Sequence, residues 1–291
     1  MQYILVTGGN KGIGLALCKA ILKHSDQTFV FLGSRDETRG QTAAEALKAA
    51  RDDWMERVSF VQLDVTRDDS VKQAADQIAG QMAGEKLYGI VNNAGIGIPE
   101  QGLAKTLDVN TYGIKRVCDQ MIPILNPEGG RIVNITSASG PLFLAQCQPS
   151  RVAELTATDI TWSQIEAVMQ NGLNLSSQEE FQSQGFGSGS SYGFSKACSN
   201  AYTIFLANEH PNLLINACTP GYIETDLTRP IAASQGAQPR DLGMKPPEEG
   251  TKSAMHLLFN NVEGSGFYFG SDGVRSPLDR YRAPGDPPFQ P

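Results

Sequence analysis

The sequence predicts an α/β protein with a doubly wound, mostly parallel sheet of seven strands and helices on both faces. Three features support this prediction. Seven short apolar runs recur along the 291 residues, and the segments between them are long enough for crossover helices. Each run is apolar on both of its faces, as expected for strands buried in a parallel sheet. A glycine-rich turn directly follows the first run and leads into an apolar helix.

The seven strands are predicted in chain order from the following runs: "YILVTGG" at 3–9, "TFVFLGS" at 28–34, "VSFVQLDV" at 58–65, "LYGIVNNAG" at 87–95, "GGRIVNITS" at 129–137, "LLINACTPG" at 213–221 and "SGFYFGSDG" at 265–273. The segments "GQTAAEALKAA" and "SVKQAADQIAGQMA" between them can carry crossover helices. We interpret residues 1–291 as one doubly wound domain.

A long insertion, at about residues 141–190, interrupts this alternation. No convincing strand occurs between Ser137 and Tyr192, and this distance far exceeds an ordinary connection. Within it, "TWSQIEAVMQNG" at 161–172 predicts a helix. Thr161 and Gln164 have the spacing of a capping box, and Gly172 is expected to end the helix. The apolar stripe of this helix consists of Trp162, Ile165, Val168 and Met169.

The C-terminal tail, about residues 274–291, contains "RSPLDRYRAPGDPPFQP". Its prolines are expected to exclude regular structure. The tail is therefore either a loose terminus or a strap across the surface.

Composition argues against several classes of protein. The net charge of −7 disfavours a nucleic-acid-binding surface, which needs clustered Lys and Arg. No apolar run suits a membrane span or a signal peptide. The five cysteines form no C-x-x-C pair, and the three histidines lack metal-ligand spacing. We therefore expect reduced thiols, a cytoplasmic protein, no metal site, and neither nucleic acid nor membrane as a partner.

The turn "TGGNKGIG", residues 7–14, lies between the first strand and an apolar helix. Its glycines allow a tight turn and let the backbone approach a pyrophosphate at the positive end of the helix. A strand, this loop and a helix in that order make the pattern informative. The sequence thus predicts a dinucleotide site of the Rossmann type. Its candidate contacts in this loop are Gly8, Asn10, Lys11, Gly12, Ile13 and Gly14.

The end of the second strand indicates which dinucleotide binds. Rossmann domains that bind NAD usually place an acid there, against the ribose hydroxyls. In "FLGSRDETRG" Ser34 stands at the position of the acid, and Arg35 follows it. Together with Lys11 and Arg39, Arg35 would supply three cations for the 2′-phosphate of NADP. The alternative is that both arginines are solvated charges at a helix start and that Asp36 binds the ribose.

Tyr192 and Lys196 are four residues apart in "YGFSK", directly after the Gly/Ser run "GFGSGSS". On a helix they share one face. An ordinary phenol has a pKa near 10, and a nearby ammonium favours its anion. The pair is therefore a candidate general acid with its activating cation. Taken alone, this spacing also occurs by chance on helix surfaces. The Gly/Ser run is interpreted as the flexible link through which the insertion rejoins this helix.

"TGGNKGIG", "NNAG" at 92–95, Asn110, Ser137, "YGFSK" and "PGYIET" at 220–225 follow one another in order. With this ordered set, the chain resembles the short-chain dehydrogenase/reductase family over about residues 3–273. Within the family it is most similar to the monomeric NADPH-dependent carbonyl reductases, through "SRDETRG" and the long insertion. The tail after Gly273 has no counterpart in that resemblance.

The resemblance implies roles for four catalytic residues. Tyr192 would protonate the substrate's carbonyl oxygen while the nicotinamide delivers hydride to the carbon, and Ser137 would hydrogen-bond the same oxygen. Lys196 would hold the nicotinamide ribose and lower the pKa of Tyr192. Asn110 would hold a water that links Lys196 to solvent. The further cofactor contacts that it implies are Asp64, Val65, Asn92, Ala94, Gly95, Pro220, Gly221, Ile223 and Thr225.

Several of these contacts also have a structural alternative. Asp64 is suited to capping its own loop, Asn92 is a common turn residue, and Pro220-Gly221 is a common turn dipeptide. The apolar candidates for the substrate pocket are equally suited to the core; they are Phe143, Leu144, Tyr222 and Met244.

The sequence therefore predicts an NADPH-dependent reductase of small-molecule aldehydes, ketones or quinones. One alternative is an NADP-dependent alcohol dehydrogenase or reductase of one specialised metabolite. Another is an NADP(H)-binding sensor without turnover, which the presence of Tyr192 and Lys196 disfavours. A monomer is expected, because in the carbonyl reductases that the chain resembles the insertion covers the helices that pair in dimeric relatives.

Overall fold

The computed structural model describes residues 1–97, 101–187 and 190–290. The strands are Gln2–Val6 (β1), Thr28–Ser34 (β2), Val58–Gln62 (β3), Leu87–Asn92 (β4), Arg131–Ile135 (β5), Leu214–Cys218 (β6), Tyr268–Phe269 (β7) and Arg275–Ser276 (β8). They form one sheet in the order β3-β2-β1-β4-β5-β6-β7-β8. Strands β1 to β7 pair in parallel, and β8 is antiparallel to β7.

All seven predicted strands are present, and the strand order reverses between β1 and β4, as in a doubly wound sheet. The predicted strand number was wrong, because the sheet of the described residues has eight strands. Strand β8 has only two residues, too few to show a hydrophobic period. It ends before Pro277, whose nitrogen cannot donate to a ladder.

Helices cover both faces of the sheet. The α-helices are Gly12–His24 (α1), Glu37–Ala50 (α2), Asp68–Met82 (α3), Gly102–Leu107 (α4), Gly113–Met121 (α5), Ser139–Leu144 (α6), Pro149–Thr156 (α7), Trp162–Leu173 (α8), Gln178–Ser183 (α9), Ser191–Glu209 (α10), Arg229–Ser234 (α11) and Lys252–Phe259 (α12). A π-helical turn spans Asp108–Tyr112, and short 3₁₀ turns span Asp52–Trp54, Ile122–Ile124, Pro239–Leu242 and Pro247–Thr251. Within the described part of the chain, no helix combines the length and apolar character needed to cross a membrane.

Alternate residues of each central strand enter different hydrophobic cores. In β1, Leu5 packs in a core shared with α3, α5, α8 and α10, whereas Ile4 and Val6 pack in a core shared with α1, α2 and α12. All three side chains are fully buried. This explains why the predicted strands are apolar on both faces.

The insertion contains the predicted helix, α8. Thr161 and Gln164 form the capping box in both directions. The prediction that Gly172 ends the helix was wrong, since α8 continues to Leu173. Gly172 instead permits close packing, because a Cβ there would lie 2.8 Å from the ring of Phe194 in α10. Two residues of the Gly/Ser run, Ser188 and Gly189, lie outside the described residues.

The tail is a strap and not a loose terminus. Residues 274–290 are called the C-terminal strap below; Pro291 lies outside the described residues. Arg282 is 8% exposed and forms an ion pair with Asp272 at 2.5 Å. The amide of Phe289 donates to the carbonyl oxygen of Arg275 at 3.1 Å. The expectation that the tail lacks regular structure was wrong for Arg275–Ser276, which form β8.

Candidate active site

Tyr192 and Lys196 lie on one face of α10, in its first two turns. Ser190 caps this helix by accepting a hydrogen bond from the amide of Gly193 at 3.2 Å. Lys196 is 4% exposed, and its Nζ donates to the carbonyl oxygen of Ile135 at 3.0 Å. The same Nζ lies 5.6 Å from the centre of the Tyr192 ring. The helix therefore brings the phenol and the ammonium together as their spacing predicts.

Ser137 follows β5, and its side chain lies near the phenol of Tyr192. The Ser137 hydroxyl also accepts from the amide of Ser139 at 3.1 Å. Burial raises the pKa of Tyr192, and the polar side chain of Ser137 opposes this rise. The expected lowering by Lys196 does not determine the pKa in this structure, because the loss of water is the larger effect. Burial also lowers the pKa of Lys196 from 10.5 to about 8.

Asn110 lies in the π-helical turn between α4 and α5, and its side chain holds the loop after β4. Its Oδ1 accepts from the amide of Ile96 at 2.9 Å, and its Nδ2 donates to the carbonyl of Ile96 at 2.8 Å. A Cβ on Gly95 would lie 3.3 Å from Oδ1 of Asn110 and 3.6 Å from Nζ of Lys196. Asn110, Gly95 and Lys196 are thus neighbours, and whether a water is held among them stays a prediction.

Two serines of α10 contribute to this arrangement and were missed in the sequence. Ser195 accepts a hydrogen bond from Nδ2 of Asn110 at 3.0 Å and donates to the carbonyl of Tyr192 at 2.8 Å. Ser199 donates to the carbonyl of Asn110 at 2.7 Å. They lie one turn apart on the face of α10 that meets the π-helical turn. Their spacing around Lys196 was the only signal available in the sequence.

The glycine loop has the geometry that a pyrophosphate requires. Gly8 has φ = 64°, which favours glycine. A Cβ on Gly14 would collide with the carbonyl oxygen of Gly8. The N-cap residue of α1, Lys11, makes no side-chain capping bond, and the first turn carries no acid. The free amide groups and the positive end of α1 fit an anionic phosphate group.

The loop after β4 holds the glycine loop through residues that the sequence interpretation did not single out. Thr7 Oγ1 accepts from the amides of Asn93 and Ala94 at 3.0 and 2.9 Å. Nδ2 of Asn93 donates to the carbonyl oxygens of Thr7 and Gly8 at 2.9 and 3.2 Å. In the sequence, the only indication of these contacts was that Thr7 opens "TGGNKGIG" and that Asn93 is the second Asn of "NNAG".

Ser34, at the end of β2, and Asp36, which follows it, make different hydrogen bonds. Ser34 is 2% exposed, and its hydroxyl donates to the carbonyl of Asp36 at 3.0 Å. Asp36 caps α2 by accepting from the amide of Arg39 at 2.9 Å, and it pairs with Arg39 Nε at 3.4 Å. The carboxylate of Asp36, the alternative ligand for the ribose, is therefore engaged by the first turn of α2.

Two of the three cations expected at the 2′-phosphate are paired with carboxylates in the structure, and their convergence on a phosphate stays a prediction. Lys11 forms an ion pair at 2.6 Å with Asp226, which lies in the loop after β6. Arg39 forms an ion pair with Asp36. Arg35 is exposed and has no ion-pair partner among the described residues. Both pairs are exposed, and exposed ion pairs contribute little to stability. Arg35 remains available to a phosphate.

Asp64 uses one carboxylate oxygen in its own loop. Oδ1 accepts from the amide and the hydroxyl of Thr66 at 3.0 and 2.8 Å. Partial burial acts to raise the pKa of Asp64, but these hydrogen bonds and the charge of Arg35 outweigh it, so the pKa is lowered. The loop-capping alternative thus holds for Oδ1. Val65 is 8% exposed and packs against Gly113.

The side chain of Asn92 lies in the core and not along the cleft. It is 2% exposed, and its Nδ2 donates to Oδ1 of Asn134 at 2.9 Å. The buried amide has a polar partner inside the protein, as such groups require, and the expected position of Asn92 along the cofactor stays a prediction.

The loop after β6 closes the cleft opposite the glycine loop. A Cβ on Gly12 would lie 3.4 Å from the methyl group of Thr225, and one on Gly221 would lie 3.1 Å from Cβ of Ser271. Ile223 is buried and bridges to Lys245. Of the apolar candidates, Phe143, Leu144 and Met244 are buried, whereas Tyr222 is 41% exposed.

Comparisons with known proteins agree with this architecture. The family model described as short chain dehydrogenase matches residues 2–148. The chain is 31% identical over 279 residues to (+)-neomenthol dehydrogenase of Arabidopsis thaliana, covering 85% of this chain and 93% of that protein. It is 31% identical over 281 residues to carbonyl reductase (NADPH) 1 of Homo sapiens, covering 91% and 94%.

The structure is similar to that of salutaridine reductase from Papaver somniferum, with a TM-score of 0.76 and 29% identity. The match covers 92% of this chain and 99% of that one. The chain belongs to the short-chain dehydrogenase family, and it is an oxidoreductase.

Proposed function

We propose that the protein is an NADPH-dependent carbonyl reductase that transfers a hydride to an aldehyde, ketone or quinone, with Tyr192 as general acid. The observation that carries the proposal is the position of Lys196, which is buried with its Nζ 5.6 Å from the centre of the Tyr192 ring. Burial raises the pKa of that phenol, and the Ser137 side chain acts on the same group to oppose this rise. Relatives named carbonyl reductase (NADPH) support the cofactor and the reaction class. NADPH supplies the hydride when bound.

The residues of this chain prepare the carbonyl group for that transfer. Tyr192 donates its proton to the developing alkoxide oxygen, and Ser137 donates a hydrogen bond to the same atom. Lys196 holds the nicotinamide ribose and keeps a positive charge near the phenol. Arg35 binds the 2′-phosphate, while the free amides of α1 bind the pyrophosphate.

The same four residues support the reverse reaction, and the resemblance to neomenthol dehydrogenase favours an alcohol of one specialised metabolite as a second candidate substrate. A panel of carbonyl compounds and alcohols, followed by the absorbance of NADPH, separates the two. Oxidation of NADPH by carbonyl compounds supports the proposal. Turnover with alcohols and NADP⁺ alone would favour the second candidate.

Two further expectations remain proposals. One sheet contains strands from Gln2 to Ser276, so we propose that residues 1–291 form a single domain. All five cysteines are free thiols in the structure, and a cytoplasmic location stays a prediction.

A further inference from the structure

Three large apolar side chains are exposed in segments that follow β5 and β6. Among the described residues, the exposed large hydrophobic side chains are Met1, Met55, Leu142, Tyr222, Ile231 and Tyr281. Leu142, Tyr222 and Ile231 belong to segments that follow the carboxyl ends of β5 and β6, where Ser137 and Gly221 lie. Water-exposed rings and aliphatic chains near a site of chemistry favour an apolar ligand. Tyr281 comes from a different place, the C-terminal strap.

The strap fixes the position of Tyr281 through the next residue. Arg282 binds Asp272 with both of its terminal nitrogens, at 3.2 and 2.5 Å. The amide of Gly285 donates to the same carboxylate at 3.1 Å. Ser271, next to Asp272, lies against Gly221, which begins the loop proposed to cover the nicotinamide. The anchor of the strap is therefore next to the candidate site.

Tyr281 is 49% exposed although its neighbour Arg282 is 8% exposed. Leu278, earlier in the strap, packs against the core that includes the residues of α10. Tyr268 lies in β7 and is in register with Ala217 of β6. Burial raises the pKa of Tyr268, and the phenols of Tyr281 and Tyr192 add to that rise.

We propose that Tyr281 is a specificity-determining residue, whose ring forms the outer wall of the substrate mouth and favours carbonyl compounds that carry an aromatic ring. This inference rests on the proposed reductase function. A flat ring bound with its carbonyl at Tyr192 stacks on an anchored phenol that loses little freedom on binding. A small aliphatic aldehyde is too short to reach the phenol and gains nothing from it.

The first test compares two aldehydes of the same reactive group, 2-naphthaldehyde and butanal, with NADPH in excess. Tyr281→Ala is expected to lower kcat/KM for 2-naphthaldehyde about tenfold, the effect of losing contact with one ring, and to leave butanal unchanged. Tyr281→Phe keeps the ring and should behave as wild type. Arg280→Ala is the matched control, an exposed change in the same strap. The KM for NADPH should stay the same in all variants.

The outcomes separate this inference from the proposed function. Equal losses for both aldehydes, or no loss for either, would overturn the role of Tyr281 while the reductase function stands. If none of the carbonyl compounds tested causes wild type to oxidise NADPH, both proposals fail.

The second test does not depend on turnover. Tyr281→Cys is labelled with a maleimide in the presence and absence of naphthalenemethanol and NADPH, an alcohol and a reduced cofactor that cannot react together. Wild type, whose cysteines are buried or half-buried, gives the background. We expect the alcohol to slow labelling several-fold when NADPH is present. Labelling at an unchanged rate would show that the bound ring does not cover position 281, and the inference would fall.

Discussion

The ammonium nitrogen of Lys196 lies 5.6 Å from the centre of the Tyr192 ring. Lys196 is 4% exposed, and burial lowers its pKa to about 8. A buried ammonium has lost most of its water, so its charged form is less stable inside the protein than in the unfolded chain. The proposed reaction requires the positive charge of Lys196, but burial of that charge lowers the stability of the folded protein.

The affinity for NADPH is expected to weaken as Lys196 loses its proton. At saturating carbonyl substrate, kcat/KM for NADPH reports the free enzyme, and we expect it to fall above about pH 8, following the lowered pKa of Lys196. Initial rates from about pH 6 to about pH 10 test this. Lys72→Met, a change at an exposed lysine, should keep the wild-type profile. A profile that stays level to the alkaline limit would contradict the role of Lys196.

Lys196→Met is expected to stabilise the cofactor-free protein at neutral pH. The folded pKa is about 8 and the ordinary value is 10.5, so the unfolded chain binds more protons between these two pH values. The free energy of unfolding of wild type therefore rises with pH across this window. Below about pH 8 the whole cost of burying the Lys196 ammonium is present. The gain is up to about 3 kcal/mol, less the loss from the unpaired Ile135 carbonyl.

Urea unfolding of wild type and Lys196→Met at neutral and alkaline pH measures this gain. The difference in unfolding free energy should shrink as the pH approaches the ordinary lysine value. A variant that is less stable at neutral pH, or a difference that does not change with pH, would argue against a buried ammonium.

Tyr192→Phe should keep NADPH binding and lose turnover, because only the hydroxyl that supplies the proton is removed. We expect kcat to fall about a hundredfold or more. Cofactor fluorescence measures binding and NADPH absorbance measures turnover. Tyr88→Phe is the matched control, since its hydroxyl donates to the carbonyl of Leu258 at 2.8 Å, apart from the site. Near wild-type turnover in Tyr192→Phe would rule out the mechanism.

Arg35→Ala is expected to weaken the binding of NADPH about ten- to a hundredfold and the binding of NADH much less. Of the two arginines directly after β2, Arg35 is the one without an ion-pair partner among the described residues. Arg39→Ala should have a smaller effect, since Arg39 already pairs with Asp36 at 3.4 Å. Measuring KM for both cofactors with one carbonyl substrate tests this. An unchanged ratio in Arg35→Ala would assign cofactor choice to other residues.

Ser34→Asp should shift preference toward NADH through a new ribose hydrogen bond and repulsion of the phosphate. The structure adds a cost, because Ser34 is 2% exposed and bonded to the Asp36 carbonyl. Part of any lost activity in this variant will therefore reflect lower stability. Arg35→Ala is the cleaner test.

A monomer is predicted from the packing of α8. The ring of Trp162 packs edge-on against Tyr112 at 5.5 Å and Tyr202 at 5.7 Å between ring centres. It thus covers the surface formed by the π-helical turn and α10, the surface expected to pair in dimeric relatives. Light scattering at micromolar concentration should give the mass of one chain. A dimer mass would contradict this prediction, and Trp162→Ala should promote association by uncovering the surface.

The sequence by itself predicted seven of the eight strands of the described residues, the helix α8 and the family. Seven strands, the capping box of α8 and the shared face of Tyr192 and Lys196 follow from local rules, because periodicity, capping and helical spacing depend on nearby residues. The family followed from the order of its motifs along the chain. These are properties that can be seen without knowing which distant residues meet.

The tertiary structure alone decided which groups the side chains contact. Lys11 meets Asp226, Asn92 meets Asn134, and Arg282 meets Asp272, each through a partner that no spacing rule identifies. The strap and β8 depend on contacts with β7, and the direction of the Tyr192 pKa depends on burial. The physical reason is that desolvation and partner choice depend on distances in space, which the chain fixes only after all of its elements have packed.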